Sequence, residues 1–463
     1  MKHLFTDLHI NHLGWLIGIS ILVKSVFYVI YAPGIYGDTS GYIEMVRIIQ
    51  TNAWDTFDGL RTPGYPVFLM LLGSNIYFVT VVQSFLGLGT VIMVFMIGKE
   101  LLQNQTKAFW LGILCLSTVN TLFMDMTILT ESLTSFLLVL TTCLSLYLVK
   151  SNSPWYLWLS MGLGVVIGFA LLVRPNLLIV VLIVMLWVVY SVRYKLRLPV
   201  AMQMLCLACF LVPVVCAYMG WSYVSSRLFD TFQYSNTSGI YLTSHTGSYV
   251  EFADNNHSLI RDRVLEIRHE GYTDFYKIFY PTSSGIAHHK AHAAEWHVAY
   301  DLIEDGEFDS LADVNSIFLD MNLDLILDHP LWYLDSVYES FIRFGLGENL
   351  GFNHNFRVNG LDTLFRLVWM VQVVLIRAAF LLAYLVTLLL VLVLAKRQQS
   401  WIPMFTLLVC LMIVSSGLLQ ALVINVANNR MGLPFQPLVF LVVAYGISEL
   451  RVLGRLTIID RKK

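Results

Sequence analysis

The sequence predicts an all-α polytopic membrane protein: a bundle of about ten or more transmembrane helices with an extracytoplasmic, mainly helical domain. Three observations support this fold class. Of the 463 residues, 57% are hydrophobic and 13% are charged, whereas a soluble domain is about one quarter charged. Apolar runs of roughly twenty residues, long enough to cross a bilayer, recur along the chain. One long polar segment, residues 221–360, interrupts them.

The apolar runs predict ten spans, at roughly 13–33, 76–98, 108–124, 128–149, 156–173, 177–192, 199–220, 372–395, 402–423 and 432–449. The segment 63–73 is apolar but too short to cross, so we expect a half-helix packed against the bundle. The chain then divides into an N-terminal membrane module, 1–220, with a surface loop at 34–66, an extracytoplasmic domain, 221–360, and C-terminal spans, 361–463. We call residues 221–360 the cap.

Basic residues in the short loops set the predicted orientation. They collect on one side of the spans, and the positive-inside rule assigns that side to the cytoplasm. They are Lys99, Lys107, Lys150, Arg193, Lys195, Arg197, Lys396, Arg397 and the basic residues from Arg451 to Lys463. The loop at 34–66, the turn at 125–131, Arg174 and the turn at 425–430 then face outward. A net charge of −2 argues against a nucleic-acid partner.

The outward loop 34–66 contains an acid and a base close together. Tyr42 follows Asp38 at helical spacing, so Asp38 is expected to begin an amphipathic helix on the outer membrane surface. Arg61 follows in the same loop, just before Tyr65. An N-cap role is the ordinary alternative for an Asp at a helix start. Charge at a membrane face is more often functional when the two signs occur together.

Two further carboxylates lie in the predicted outer turn between spans three and four. Asp125 is equally compatible with a solvated loop and with a site, whereas Glu131 falls inside the next apolar run and should face a cavity or a partner. Lys24, inside the first span, is equally compatible with a salt bridge in the bundle and with a role at the site.

Three arginines, Arg61, Arg174 and Arg430, occupy short outward connections, where the positive-inside rule predicts few. Each alone is compatible with an interfacial anchor. Together they suggest an anionic ligand, because a guanidinium offers a planar fork to phosphate oxygens. His288 and His292, with His289 and His297 nearby, have spacing suited to a metal if helical, although the flanking sequence is typical of an ordinary surface helix.

These motifs occur in the order found in the GT-C fold glycosyltransferases, and the chain resembles that family, most closely the protein O-mannosyltransferases and lipid A aminoarabinose transferases. The resemblance covers 10–225 and 360–450. The matching motifs are Gly37-Asp38-x-x-x-Tyr42, Arg61-x-Pro63-Gly64-Tyr65-Pro66, Thr130-Glu131-Ser132, Arg174-Pro175 and Arg430-x-x-Leu433-Pro434.

The resemblance implies an inverting hexosyl or pentosyl transferase with a polyprenyl-phosphate-sugar donor. By match to the motifs, Asp38 is the base, Arg61 binds the donor phosphate with help from Arg430 and Arg174, and Glu131 orients the acceptor, tunes Asp38 or helps to hold a metal. The resemblance implies no particular cofactor, and a divalent cation stays open. The supporting residues are Tyr42, Asp125 and Tyr65.

The implied setting is the inner membrane of a bacterium, among membrane lipids, with the active site toward the periplasm. The acceptor would be an envelope glycan, a lipid or a lipid-linked polymer, and the cap is expected to help choose it. A flippase, ligase or transporter of lipid-linked saccharides would share the anionic ligand and is the alternative. A transporter would usually have internal repeats and broken helices near the bilayer midplane, and the sequence has no detectable repeat.

Overall fold

The computed structural model describes residues 11–150, 155–270, 295–346, 355–394, 401–425 and 428–460. Within these ranges the secondary structure is helical, with two isolated backbone bridges and no strand. Eight of the described helices are long and apolar enough to cross a membrane, or nine if one bent pair is a single span. The all-α polytopic prediction is therefore confirmed, and the chain is an integral membrane protein.

The described residues of the N-terminal part form ten α-helices. They are α1 (His12–Ile30), α2 (Gly37–Thr51), α3 (Gly64–Leu71), α4 (Ile76–Leu102), α5 (Gln105–Ser117), α6 (Val119–Asp125), α7 (Glu131–Lys150), α8 (Tyr156–Val173), α9 (Leu178–Tyr190) and α10 (Val200–Phe229). The predicted third span is the bent pair, since α5 and α6 meet at 62°. The predicted half-helix is α3, which is eight residues long and buries Tyr65 and Leu69.

The cap and the C-terminal part contribute the other described helices. They are α11 (Ser238–Thr246), α12 (Ser258–Glu270), α13 (Glu295–Glu304), α14 (Leu311–Asp328), α15 (Pro330–Leu346), α16 (Leu361–Leu394), α17 (Trp401–Val423), α18 (Asn428–Met431) and α19 (Gln436–Asp460). Because α10 continues to Phe229, the cap begins on the helix of the seventh span. The last predicted span corresponds to a shorter apolar stretch, Leu433–Glu449.

The cap has an apolar core of its own. Phe318 and Met321 of α14 are fully buried there with Val298 and Leu302 of α13. A helix break at His329–Pro330 separates α14 from α15, because a proline cannot continue the hydrogen bonding of the preceding turn. These helices of the cap therefore pack around an apolar cluster of their own.

Backbone pairing holds the start of α2 beside the start of α7. Gly34 donates its N–H to the Met126 carbonyl at 2.8 Å, and its own carbonyl accepts from Ile128 N–H at 3.1 Å. The Thr39 hydroxyl also donates to the Ile128 carbonyl at 2.9 Å. These bonds bring the first turn of α2, which carries Asp38, to the end of the bundle where α7 begins.

Candidate active site

Asp38 lies in the first turn of α2, and it is not the N-cap. Tyr36 is the N-cap residue, and the Thr39 hydroxyl accepts a hydrogen bond from the Tyr36 N–H at 3.0 Å. Negative charge in the first turn of a helix is favourable because the free N–H groups there carry partial positive charge. The N-cap alternative is therefore wrong, and the Asp38 carboxylate is available for other partners.

Both carboxylate oxygens of Asp38 accept hydrogen bonds from arginines. Arg61 Nη2 donates to Oδ1 at 2.8 Å, and Arg430 Nη1 donates to Oδ2 at 2.6 Å. Burial raises the pKa of Asp38, but the charges of Arg430 and Arg61 outweigh burial and lower that pKa to about 2. In this state Asp38 is ionised and a weak proton acceptor.

Aromatic rings and one buried amide hold Arg61 in place. Its guanidinium lies over the Tyr42 ring, 4.9 Å from the centroid, and Tyr42 packs edge-on against Tyr65 at 4.9 Å. The Tyr65 hydroxyl donates to Gln83 Oε1 at 2.8 Å. The Gln83 amide donates to the carbonyls of Met124, Asp125 and Thr127. Sequence reasoning missed Gln83, although an amide inside the apolar run of α4 is a usable signal.

Glu131 is a buried anchor for two arginines. Its Oε1 accepts from Arg430 Nε at 2.5 Å and from Arg174 Nη2 at 2.7 Å. Arg174 Nε also donates to the Thr130 hydroxyl at 2.7 Å. The Glu131 side chain is only 2% exposed, so its contacts fix the directions of Arg174 and Arg430. This arrangement does not expose the carboxylate to an acceptor.

Positive charge exceeds negative charge in this group. We call Arg61, Arg174 and Arg430 the arginine cluster. Its three positive charges contact the two negative charges of Asp38 and Glu131, so the formal charges of these five side chains sum to +1. A surplus cation in a partly dry site favours binding of an anion.

A cavity of about 320 Å³ adjoins the arginine cluster, and Asp38, Tyr42 and all three arginines line it. Its volume falls at the lower end of the usual range for small-molecule sites, about 300–1,000 Å³. The cap contributes Tyr241 and a short run of hydroxyl residues to the same wall. The cavity therefore lies between the membrane bundle and the cap.

One wall of the cavity is apolar. Leu178 of α9 and Leu419 and Val423 of α17 line it there. Leu178 is 43% exposed, and Leu182 and Leu186, on the same face of α9, are also exposed. A row of exposed leucines therefore runs along α9 from the apolar wall of the cavity.

Asp125 belongs to a different network. It is buried, pairs with Lys24 of α1, and accepts a hydrogen bond from the Ser132 hydroxyl at 2.7 Å. The Asp125 side chain does not line the cavity, and the solvated-loop alternative is wrong. Of the two alternatives for Lys24, a salt bridge in the bundle or a role at the site, the structure shows the salt bridge. Asp125 supports the site only through its backbone carbonyl, which Gln83 binds.

The described residues provide no group of side chains that could hold a metal ion. Within the ranges given above, no three His, Cys, Asp or Glu side chains are grouped as a cation would need. Asp38 and Glu131 are instead occupied by guanidinium donors. His288, His289 and His292 lie outside the described residues.

Comparisons with known proteins add one remote likeness. No protein-family model matches the chain, and no curated protein is significantly similar to it. Among solved structures, the chain is similar to the crystal structure of ArnT from Cupriavidus metallidurans in the apo state. The identity is 11%, with 93% of this chain and 78% of that chain covered, at a TM-score of 0.36. A likeness this remote defines neither a donor nor an acceptor for this chain.

Proposed function

We propose that the protein is an inverting membrane glycosyltransferase that moves a sugar from a polyprenyl-phosphate donor to an extracytoplasmic acceptor. The observation that carries this proposal is the position of Asp38. It lies among arginines whose charge exceeds that of the neighbouring acids, at a cavity whose apolar wall adjoins exposed leucines of α9. A lipid-linked sugar phosphate has the matching parts: an anionic phosphate, a polar sugar and an apolar tail.

The arginine cluster would bind the donor phosphate. Guanidinium groups hydrogen-bond phosphate oxygens through two N–H groups at once. Glu131 holds Arg174 and Arg430 in fixed directions before the ligand arrives, which reduces the entropy lost on binding. The tail would leave along Leu178, Leu419 and Val423.

Donor binding would also free the base. Both oxygens of Asp38 are hydrogen-bonded to Arg61 and Arg430. A phosphate that takes over these N–H donors removes the groups that hold the pKa of Asp38 near 2. The carboxylate then becomes a stronger proton acceptor, and it does so only when a donor is present.

Transfer proceeds in a single displacement. The acceptor hydroxyl oxygen forms a bond to the anomeric carbon while its proton passes to Asp38. The bond between the anomeric carbon and the phosphate oxygen breaks at the same time, and its electron pair leaves with the polyprenyl phosphate. The arginine cluster stabilises the negative charge that grows on this leaving group.

Mass spectrometry of envelope glycans and lipid-linked sugars, with and without the gene, tests the proposal. We expect one sugar to be lost from the glycans and its polyprenyl-phosphate form to accumulate. The wild-type gene should reverse both changes, and a gene encoding Asp38→Asn should reverse neither. Unchanged glycans would contradict the proposal. Full rescue by Asp38→Asn would favour a flippase, since moving a lipid across the membrane needs no base.

A further inference from the structure

Part of the cavity wall comes from the cap and carries hydroxyl groups but no charge. Ser235, Thr237, Ser238 and Tyr241 line the cavity there, and we call them the hydroxyl wall. The Ser235 and Thr237 hydroxyls are 2.9 Å apart and hydrogen-bonded. Nothing in the sequence distinguishes these residues from an ordinary polar connection between α10 and α11.

The hydroxyl wall is fixed to the core of the cap. Asn315 of α14 accepts a hydrogen bond from the Gly239 N–H at 2.7 Å, and Asn322 donates to the Gly239 carbonyl at 2.7 Å. A Cβ atom at Gly239 would collide with the Asn315 carbonyl, so the close approach of α11 to α14 requires glycine. Both asparagine side chains are buried. The wall therefore keeps its shape without a ligand.

Tyr241 joins the hydroxyl wall to the charged part of the site. Its ring packs edge-on against Trp296 at 5.2 Å. Burial raises the pKa of Tyr241 to about 12, although the Arg61 charge opposes the shift. The phenol is therefore neutral at physiological pH and can both donate and accept a hydrogen bond.

The three surfaces of the cavity differ in the chemistry that they can bind. The arginine cluster suits a phosphate, and the apolar wall at Leu178, Leu419 and Val423 suits a lipid tail. The hydroxyl wall offers uncharged donors and acceptors in fixed positions, which suits a neutral ring with several hydroxyl groups. The sugar is the one part of the donor without a place on the first two surfaces.

We propose that Ser235, Thr237, Ser238 and Tyr241 form the subsite for the sugar ring of the donor and select its pattern of hydroxyl groups. This inference rests on the proposed function and names the specificity determinant of the same site. It gives this part of the cap a role in choosing the donor, which differs from the acceptor role expected from the sequence.

The test compares lipids with and without a sugar on the full-length protein in detergent. The probes are bare polyprenyl phosphate and polyprenyl phosphate carrying glucose, mannose or arabinose, measured by competition against a labelled polyprenyl phosphate. The wild type should bind one glycosylated probe more tightly than the others and more tightly than the bare lipid. Thr237→Val, Ser238→Ala and Tyr241→Phe should each weaken binding of that probe by about five- to tenfold, the effect of one lost hydrogen bond.

Binding of bare polyprenyl phosphate should stay within about twofold of wild type in all three variants, because the arginine cluster is intact. Ser316→Ala is the matched control: Ser316 is exposed on α14 and bonds only to its own helix. Thermal unfolding of each variant verifies folding. Tyr241→Trp should not restore the preference for one glycosylated lipid, because tryptophan cannot accept a hydrogen bond.

The possible failures are distinguishable. Equal loss of bare and glycosylated lipid in folded variants would overturn the sugar subsite and leave the proposed function standing. The sugar subsite is likewise overturned if the wild type binds every glycosylated probe no better than the bare lipid. If the wild type binds none of the four lipids, both the subsite and the proposed function are overturned.

Discussion

Asp38 and Arg430 are 392 residues apart in the chain, yet Arg430 Nη1 donates a 2.6 Å hydrogen bond to Asp38 Oδ2. The same guanidinium donates through Nε to Glu131 at 2.5 Å. Arg430 therefore links α2, near the N-terminus, to α7 in the bundle from a position near the C-terminal span. Closure of the site depends on the whole bundle, and a fragment without the last helices would leave Asp38 and Glu131 without this cation.

Replacing Asp38 separates proton transfer from donor binding. Asp38→Asn keeps the size of the side chain and removes the proton acceptor, so turnover should fall at least about a hundredfold. Binding of polyprenyl phosphate should be unchanged or tighter, because Arg61 and Arg430 no longer share a carboxylate. Transfer assays and lipid-binding assays on the purified variant check the two effects. Near wild-type turnover with unchanged donor binding would remove Asp38 from the role of base.

The release of Asp38 by the donor predicts different pH profiles for two kinetic constants. Activity needs ionised Asp38, so each profile falls as pH drops through the pKa of that carboxyl. In the free enzyme the pKa is about 2, and kcat/KM for the donor should stay flat down to about pH 3. In the donor complex the pKa should return toward the ordinary Asp value, so kcat should fall below about pH 4. Acidic limbs at the same pH would show that the donor does not release Asp38.

The sequence alone predicted most of the membrane fold, because apolar length is a direct physical requirement for spanning. The α5–α6 bend was not predicted, since Thr118 is neither proline nor glycine and the apolar run continues through it. The half-helix α3 was predicted from its length. The internal arrangement of the cap was not predicted, because side-chain amides such as Asn315 and Asn322 bind backbone groups that are distant in sequence.

The candidate site was also predicted only in part. The sequence singled out Asp38, Arg61 and Glu131 by charge at a membrane boundary, where charge is expensive. That argument favoured Glu131 over Asp125, because Glu131 falls inside the next apolar run, but it could not name the partner of either acid. The structure pairs Glu131 with two arginines that line the cavity, and it pairs Asp125 with Lys24 of α1. No charge or spacing marks the hydroxyl wall, which only the packing of the cap against the bundle brings to the cavity.

Arg430→Lys should weaken donor binding by about tenfold. Lysine keeps the charge, but a single ammonium cannot contact Asp38 and Glu131 in two directions as the guanidinium does. Equilibrium binding of polyprenyl phosphate measures the change. Arg47→Lys is the matched control, because Arg47 is exposed on α2 and its ion pair is with Glu44 of the same helix. Equal losses in both variants would show that the effect does not come from the contacts of Arg430 at the site.

Glu131→Gln tests whether Glu131 positions the arginines or orients the acceptor. Loss of this buried charge leaves Arg174 and Arg430 under-compensated, and we expect about 3 kcal/mol of destabilisation with a raised donor KM. The acceptor KM should change little. Glu44→Gln, in an exposed pair, should leave the melting temperature close to that of the wild type. A raised acceptor KM with an unchanged donor KM would restore the role in acceptor binding that the family resemblance implies.

Gly87→Ala should destabilise the outer turn that carries Glu131. A Cβ atom at Gly87 of α4 would overlap both Asp125 and Lys24, forcing apart an ion pair that is buried in the bundle. Separating buried charges without a replacement partner costs several kcal/mol, so the apparent melting temperature in detergent should fall clearly. Gly18→Ala is the control, because no atom lies near its added methyl and alanine favours helix by about 1 kcal/mol. If Gly87→Ala melts at or above the wild-type temperature, the Lys24–Asp125 pair does not hold this turn in place.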